Sequence, residues 1–186
     1  MAAASKSLRT RLLSNGSYSV VISGGGGGFS SRQGIALSPW CGDRTLDAEG
    51  FFFYLRDADS GAVWQPARRS RQRPGGRPRA SAAAGRVRFS ATRDGIETEA
   101  EVCVATDADA EIRTLQLANR SDRVRHIEVT TALELALESP AGFAAHPAFR
   151  KLFVQTAIED AAILVAARRR RGNDEAPLFA AHALWG

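Results

Sequence analysis

The feature that most constrains this chain is an unbroken alternation at residues 96–104. Ile96, Thr98, Ala100, Val102 and Val104 fall on one face, and Glu97, Glu99 and Glu101 on the other. A period of two marks an extended strand with one buried and one wet face; a helix would repeat its faces every 3.6 residues. Just before it, Asp94-Gly95 is a pair that tolerates the positive φ values of a tight hairpin turn. Arg86–Thr92 is therefore expected to fold back onto Ile96–Ala105. A second alternation runs from His126 to Leu137, with Ile127, Val129, Thr131, Leu133, Leu135 and Leu137 on one face. Its last residues include helix formers, but the persistence of the pattern favours a strand over 124–137.

Other extended runs punctuate the chain. Tyr18–Ile22 is short and rich in β formers, and the five glycines at Gly24–Gly28 after it read as a flexible loop. Phe51–Leu55 is an aromatic strand. Arg56-Asp57-Ala58-Asp59-Ser60-Gly61 supplies turn residues, and an extended run resumes at Ala62–Gln65, which predicts a hairpin. Residues 111–118, 151–157, 161–167 and 178–185 complete about ten strands with no βαβ rhythm, the pattern of an all-β antiparallel sandwich. Residues 1–14 show no pattern and are expected to form a loose tail, leaving 15–186 as the sandwich domain. Within it, 67–85 is rich in Arg, Pro, Gly and Ala, lacks apolar periodicity, and reads as a disordered, low-complexity insert.

Charge matters only once it is located. The net charge is +5, but six arginines lie between Ala67 and Ala84; without them 19 Lys and Arg face 20 Asp and Glu. The basic character belongs to one segment, which has no interleaved aromatics for base stacking, so no specific nucleic-acid partner is expected. No apolar run approaches the ~18 residues of a membrane span. Two cysteines and no secretory leader point to a reduced, cytoplasmic chain.

Catalytic and metal signatures are weak. His126, His146 and His182 are widely separated, with no partner at metal-ligand spacing, so neither a metal nor a cofactor is expected. Asp43, Asp47, Glu49, Asp57 and Asp59 cluster, but at turns, where Asp is favoured for backbone reasons. The glycine run lacks the third glycine of a dinucleotide loop, since position 29 is Phe, and no Gly-Lys-Ser/Thr follows. Trp40, Trp64, Tyr18, Tyr54 and Phe51–Phe53 are core formers or candidates for stacking on sugar rings.

Three segments, in order, resemble the N-terminal domain of the inverting glycoside phosphorylases. They are Asn15-Gly16-Ser17-Tyr18-Ser19-Val20 with Gly28-Phe29-Ser30, then Asp47–Asp57 with Ser60-Gly61-Ala62-Val63-Trp64, then His146-Pro147-Ala148-Phe149-Arg150-Lys151-Leu152-Phe153-Val154-Gln155-Thr156. The third resembles cyclic β-1,2-glucan synthases in particular; the family also holds cellobiose, cellodextrin and chitobiose phosphorylases. The resemblance implies a large, galactose mutarotase-like supersandwich that precedes a helical (α/α)₆ barrel carrying the catalytic Asp and the phosphate site. It implies a carbohydrate-binding accessory role, weak binding of a β-glucan oligosaccharide, a helical-barrel catalytic domain or subunit as partner, and no catalytic residue within 1–186. It places Phe29, Arg32 and Trp40 on the loops nearest the sugar. Ser38-Pro39-Trp40-Cys41-Gly42-Asp43 departs from the family's Arg-bearing pattern there, which fits a truncated or diverging copy. The alternatives are a stand-alone sugar-binding module and a basic adaptor that binds polyanions through the arginine insert.

Overall fold

The structure is a computed structural model that describes residues 10–40, 49–67, 78–145, 149–160, 163–170, 172–173 and 175–186. The described residues form four antiparallel sheets. The first contains β1 (Thr10–Ser14), β2 (Tyr18–Ser23), β3 (Gly28–Arg32) and β4 (Ile35–Ala36) in sequence order. The second also runs in sequence order, through β7 (Arg79–Ala83), β8 (Arg86–Arg93), β9 (Ile96–Val104) and β10 (Glu111–Asn119). The third sets β5 (Phe51–Asp57) between β6 (Val63–Trp64) and β11 (Ile127–Leu133). The fourth contains β12 (Val154–Glu159), β13 (Ile163–Arg168) and β14 (Leu178–Ala183). A short helix, α1 (Pro140–Ala145), and a 3₁₀ turn at Arg150–Phe153 lie between β11 and β12.

The first two sheets make the main core. Tyr18, Val20 and Ile22 of β2 meet Val87 and Phe89 of β8 and Ala100 and Val102 of β9, with Phe53 of β5 closing the cluster. Each fully buried side chain of this kind contributes roughly 1.5–3 kcal/mol relative to exposure. A second cluster joins Leu55, Trp64 and Ile96.

The hairpin at Asp94-Gly95 forms as the residues dictate. Both residues have positive φ, 45° and 81°, as a two-residue turn of matching twist requires. Arg93 pairs with Ile96 across it. The β5–β6 hairpin also forms, with Leu55 opposite Trp64.

Four expectations are corrected. Thr10–Ser14, placed in a loose tail, is β1; Leu13 is buried in the core and the strand pairs along its length with β2. The C-terminal part of the insert expected at 67–85 is a strand: Arg79–Ala83 is β7, held by β8, and Ala80 and Ala82 pack on the core; residues 68–77 of that expectation lie outside the described residues. The glycine run is an ordered turn running into a strand rather than a flexible loop. Gly28 opens β3 with φ +153°, its N–H donates to the Glu49 carbonyl at 2.7 Å, and a Cβ there would lie 1.8 Å from the Val21 carbonyl oxygen. Finally, the strand expected over 124–137 ends at Leu133, and the following residues turn in so that Ala136, Leu137 and Glu138 are buried.

Candidate functional site

The quoted motifs resolve first into framework. In Asn15-Gly16-Ser17-Tyr18, the Asn15 side-chain oxygen accepts from the N–H groups of Ser17 and Tyr18, closing the β1–β2 turn. Its side-chain nitrogen donates to the carbonyls of Ala105 and Ala108 at 2.8 and 2.9 Å. One amide thus shapes a hairpin and fastens it to the opposite sheet's β9–β10 connection.

Tyr18 and Ser30 serve the same junction from inside. Both hydroxyls donate to one oxygen of Glu111 on β10, at 3.0 and 2.5 Å. The other Glu111 oxygen lies 2.6 Å from the Arg113 guanidinium, which also donates to the Phe51 carbonyl and sits 4.6 Å above the Phe51 ring. Burial, reinforced by the Glu111 charge, pushes the Tyr18 phenol well above its ordinary value. Close by, His182 lies 2.9 Å from the Thr131 hydroxyl and 5.2 Å from the Phe51 ring, and burial pushes its imidazole below the ordinary value.

The Asp57…Ser60-Gly61…Trp64 motif is a turn. Asp57 accepts from the backbone N–H groups of Asp59 and Ser60 and from the Ser60 hydroxyl, and is paired with the buried Arg125. Burial alone would raise its pKa, but the Ser60 and Arg125 hydrogen bonds outweigh that and hold the carboxyl well below the carboxylate range. Trp64 is core, its indole N–H 3.5 Å from the Thr98 hydroxyl. Asp59 lies 3.4 Å from His126 at the surface. Asp43, Asp47 and His146 lie outside the described residues. Among the described residues no cluster of His, Cys, Asp and Glu could hold a metal, and no helix is long and apolar enough to cross a membrane.

Of the three residues expected near a sugar, the structure brings two together. Phe29 of β3 and Trp40, four residues beyond β4, have ring centroids 5.6 Å apart at a 40° tilt, and Trp40 is 41% exposed. Arg32 sits at the far end of β3, bound to Asp109 in the β9–β10 connection. It extends the contact that Asn15 makes with that connection and does not join the aromatic pair. Sequence reasoning missed Glu111 and Arg113, which sit in the strand 111–118 without any motif; only their depth and partners mark them out.

Residues 3–186 match the glycosyl hydrolase 94 supersandwich domain. The chain belongs to that family. This supersandwich is 32% identical over 174 residues to the cyclic beta-(1,2)-glucan synthase NdvB of Rhizobium meliloti (strain 1021), a match that covers 93% of this chain and 6% of that protein. It is 30% identical over 128 residues to the solabiose phosphorylase of Paenibacillus borealis, covering 68% of this chain and 17% of that protein. The supersandwich therefore spans a small fraction of the length of these relatives.

Proposed function

We propose that this supersandwich is a carbohydrate-binding accessory domain of a β-glucan phosphorylase or cyclic β-1,2-glucan synthase type of enzyme. It works beside a helical-barrel catalytic domain or subunit, in the cytoplasm, and performs no glycosyl transfer by itself. The observation that carries this reading is the Phe29–Trp40 pair. Asn15, Tyr18, Gly28, Ser30, Asp57, Ser60 and Trp64 are consumed by hairpins, turns and core, whereas Trp40 is an exposed residue beside a second ring. Aromatic faces bind the C–H faces of pyranose rings and need no charge to do so.

The carboxylates support the second half of the reading. Glycosyl transfer needs a proton donor placed at the glycosidic oxygen. Asp57 is committed to Arg125, and Glu111 to Tyr18, Ser30 and Arg113.

Calorimetric titration of the purified chain with β-1,2- and β-1,4-linked glucan oligosaccharides tests the proposal. Weak binding is expected, with Trp40→Ala lowering affinity about tenfold, the equivalent of one lost ring contact. No glucose 1-phosphate should form on adding phosphate. Robust turnover by the chain, or binding indifferent to both Phe29 and Trp40, would overturn the reading.

A further inference from the structure

The register of the first sheet places Phe29 in a larger pattern. Leu12 of β1 lies opposite Val21 of β2, and Val21 lies opposite Phe29 of β3. Residues directly opposed in antiparallel strands share a face. That face is the outer one, because the intervening Tyr18, Val20 and Ile22 are all buried in the core. Trp40 sets its ring against that of Phe29. The result is one apolar stripe across the strands. At the strand spacing of about 4.8 Å the row from Leu12 to Phe29 spans roughly 10 Å, and the Trp40 ring adds to its apolar surface.

The neighbouring row is built of hydroxyls. Ser14 lies opposite Ser19, and Ser19 opposite Ser31. The Ser14 and Ser19 hydroxyls are 2.9 Å apart, within hydrogen-bonding distance of each other. On the stripe's other side, Thr10 lies opposite Ser23. The outward positions of β1, β2 and β3 thus carry apolar groups flanked by hydroxyls and bear no charge.

Resting on the carbohydrate reading above, we propose that this outer face binds a β-linked glucan oligosaccharide laid across the strands, with successive rings over Trp40, Phe29, Val21 and Leu12. The chemistry matches in three respects. A neutral ligand meets an uncharged face. The C–H faces of equatorially substituted rings meet the apolar stripe. Their rim hydroxyls meet Ser19 and Ser31, whose hydroxyls can both donate and accept, while Ser14 is held in the β1–β2 turn by the Tyr18 carbonyl and the Gly16 N–H. The stripe is longer than one sugar ring, so the face selects for oligosaccharides over monosaccharides.

The test uses the whole chain and two probes, cellotetraose and the β-1,2-linked glucose tetrasaccharide, each compared with its disaccharide. At least one tetrasaccharide should bind about tenfold tighter than its disaccharide, since two further rings gain contacts. Leu12→Ser should weaken that tetrasaccharide about fivefold and leave the disaccharide unchanged. Ser31→Ala should weaken it about threefold. Leu12 is 65% exposed, so the thermal midpoint of Leu12→Ser should match that of the parent chain.

If Trp40→Ala weakens binding while Leu12→Ser and Ser31→Ala bind as the parent does, the two-ring contact stands and the extended platform is overturned. If neither tetrasaccharide binds, the carbohydrate reading fails and the platform falls with it. If the chain dimerises, and Leu12→Lys abolishes dimerisation without altering sugar binding, the face is a protein interface and the platform is again overturned.

Discussion

On the outer face of β7–β10, Arg88 lies 2.8 Å from Glu101 and 3.2 Å from Glu99, Arg86 lies 3.3 Å from Glu101, and Arg120 lies 3.0 Å from Glu97. The outer face of β1–β3 carries no charge; Leu12, Val21 and Phe29 stand there in a row between hydroxyls. Both sheets close the same core, so burial does not account for the difference. A ladder of exposed ion pairs keeps a sheet wet and contributes little to stability. An apolar row gains nothing from water, and its presence on one sheet and not the other is what the proposed platform accounts for. The two outer faces of one sandwich thus differ in chemistry although they share one core.

The comparison breaks most severely at the junction. Glu111 ties Tyr18 and Ser30 of one sheet to Arg113 of the other. Glu111→Ala leaves the mostly buried Arg113 without its counter-charge and two hydroxyls without their acceptor. Equilibrium urea unfolding should show a loss of about 3–5 kcal/mol. A loss under 1 kcal/mol would mean that the sheets are held by apolar contact alone.

A smaller effect appears at high pH. The Tyr18 phenol titrates above its unfolded value near 10, so the folded state keeps a proton that the unfolded chain gives up. Its contribution to stability is complete below pH 10 and is lost as pH rises from 10 through the folded value. Tyr18→Phe should flatten this part of the stability profile between pH 9.5 and 11.5, as read by circular dichroism at stepped pH. A slope identical to that of the parent chain would place the alkaline sensitivity elsewhere.

The smallest effect belongs to the charged face. Arg88→Ala should shift stability by about 0.5 kcal/mol or less, with the difference vanishing in 1 M salt. Tetrasaccharide affinity should not change. A sugar-binding defect in this variant would blur the division between the two faces.

The parts of the fold that were legible in the sequence are those where side chains alone carry the signal. Asp94-Gly95 and the strict alternation after it specify β8–β9, and Arg56–Gly61 specifies the turn of β5–β6. Strand β7 was hidden because Arg79–Ala83 has no β propensity of its own; pairing with β8 makes it extended. Strand β3 was hidden behind its glycines, since close approach to Val21 is a property of the folded backbone. The site divides in the same way. Phe29 and Trp40 were singled out through family resemblance, and the structure sets their rings 5.6 Å apart. The row they share with Leu12 depends on register, which no local pattern in Thr10–Ser14 encodes.

Asn15 has a consequence for how the chain is made. Its side chain reaches Ala105 and Ala108, about 90 positions later. At a synthesis rate of 5–20 residues per second, those carbonyls leave the ribosome roughly 5–18 s after Asn15 does. Throughout that interval Val20 and Ile22 have no opposite sheet to cover them, because Val87, Ala100 and Val102 are also still unmade or newly emerged. The inner face of the nascent β1–β4 meander therefore stays uncovered until the second sheet has been made.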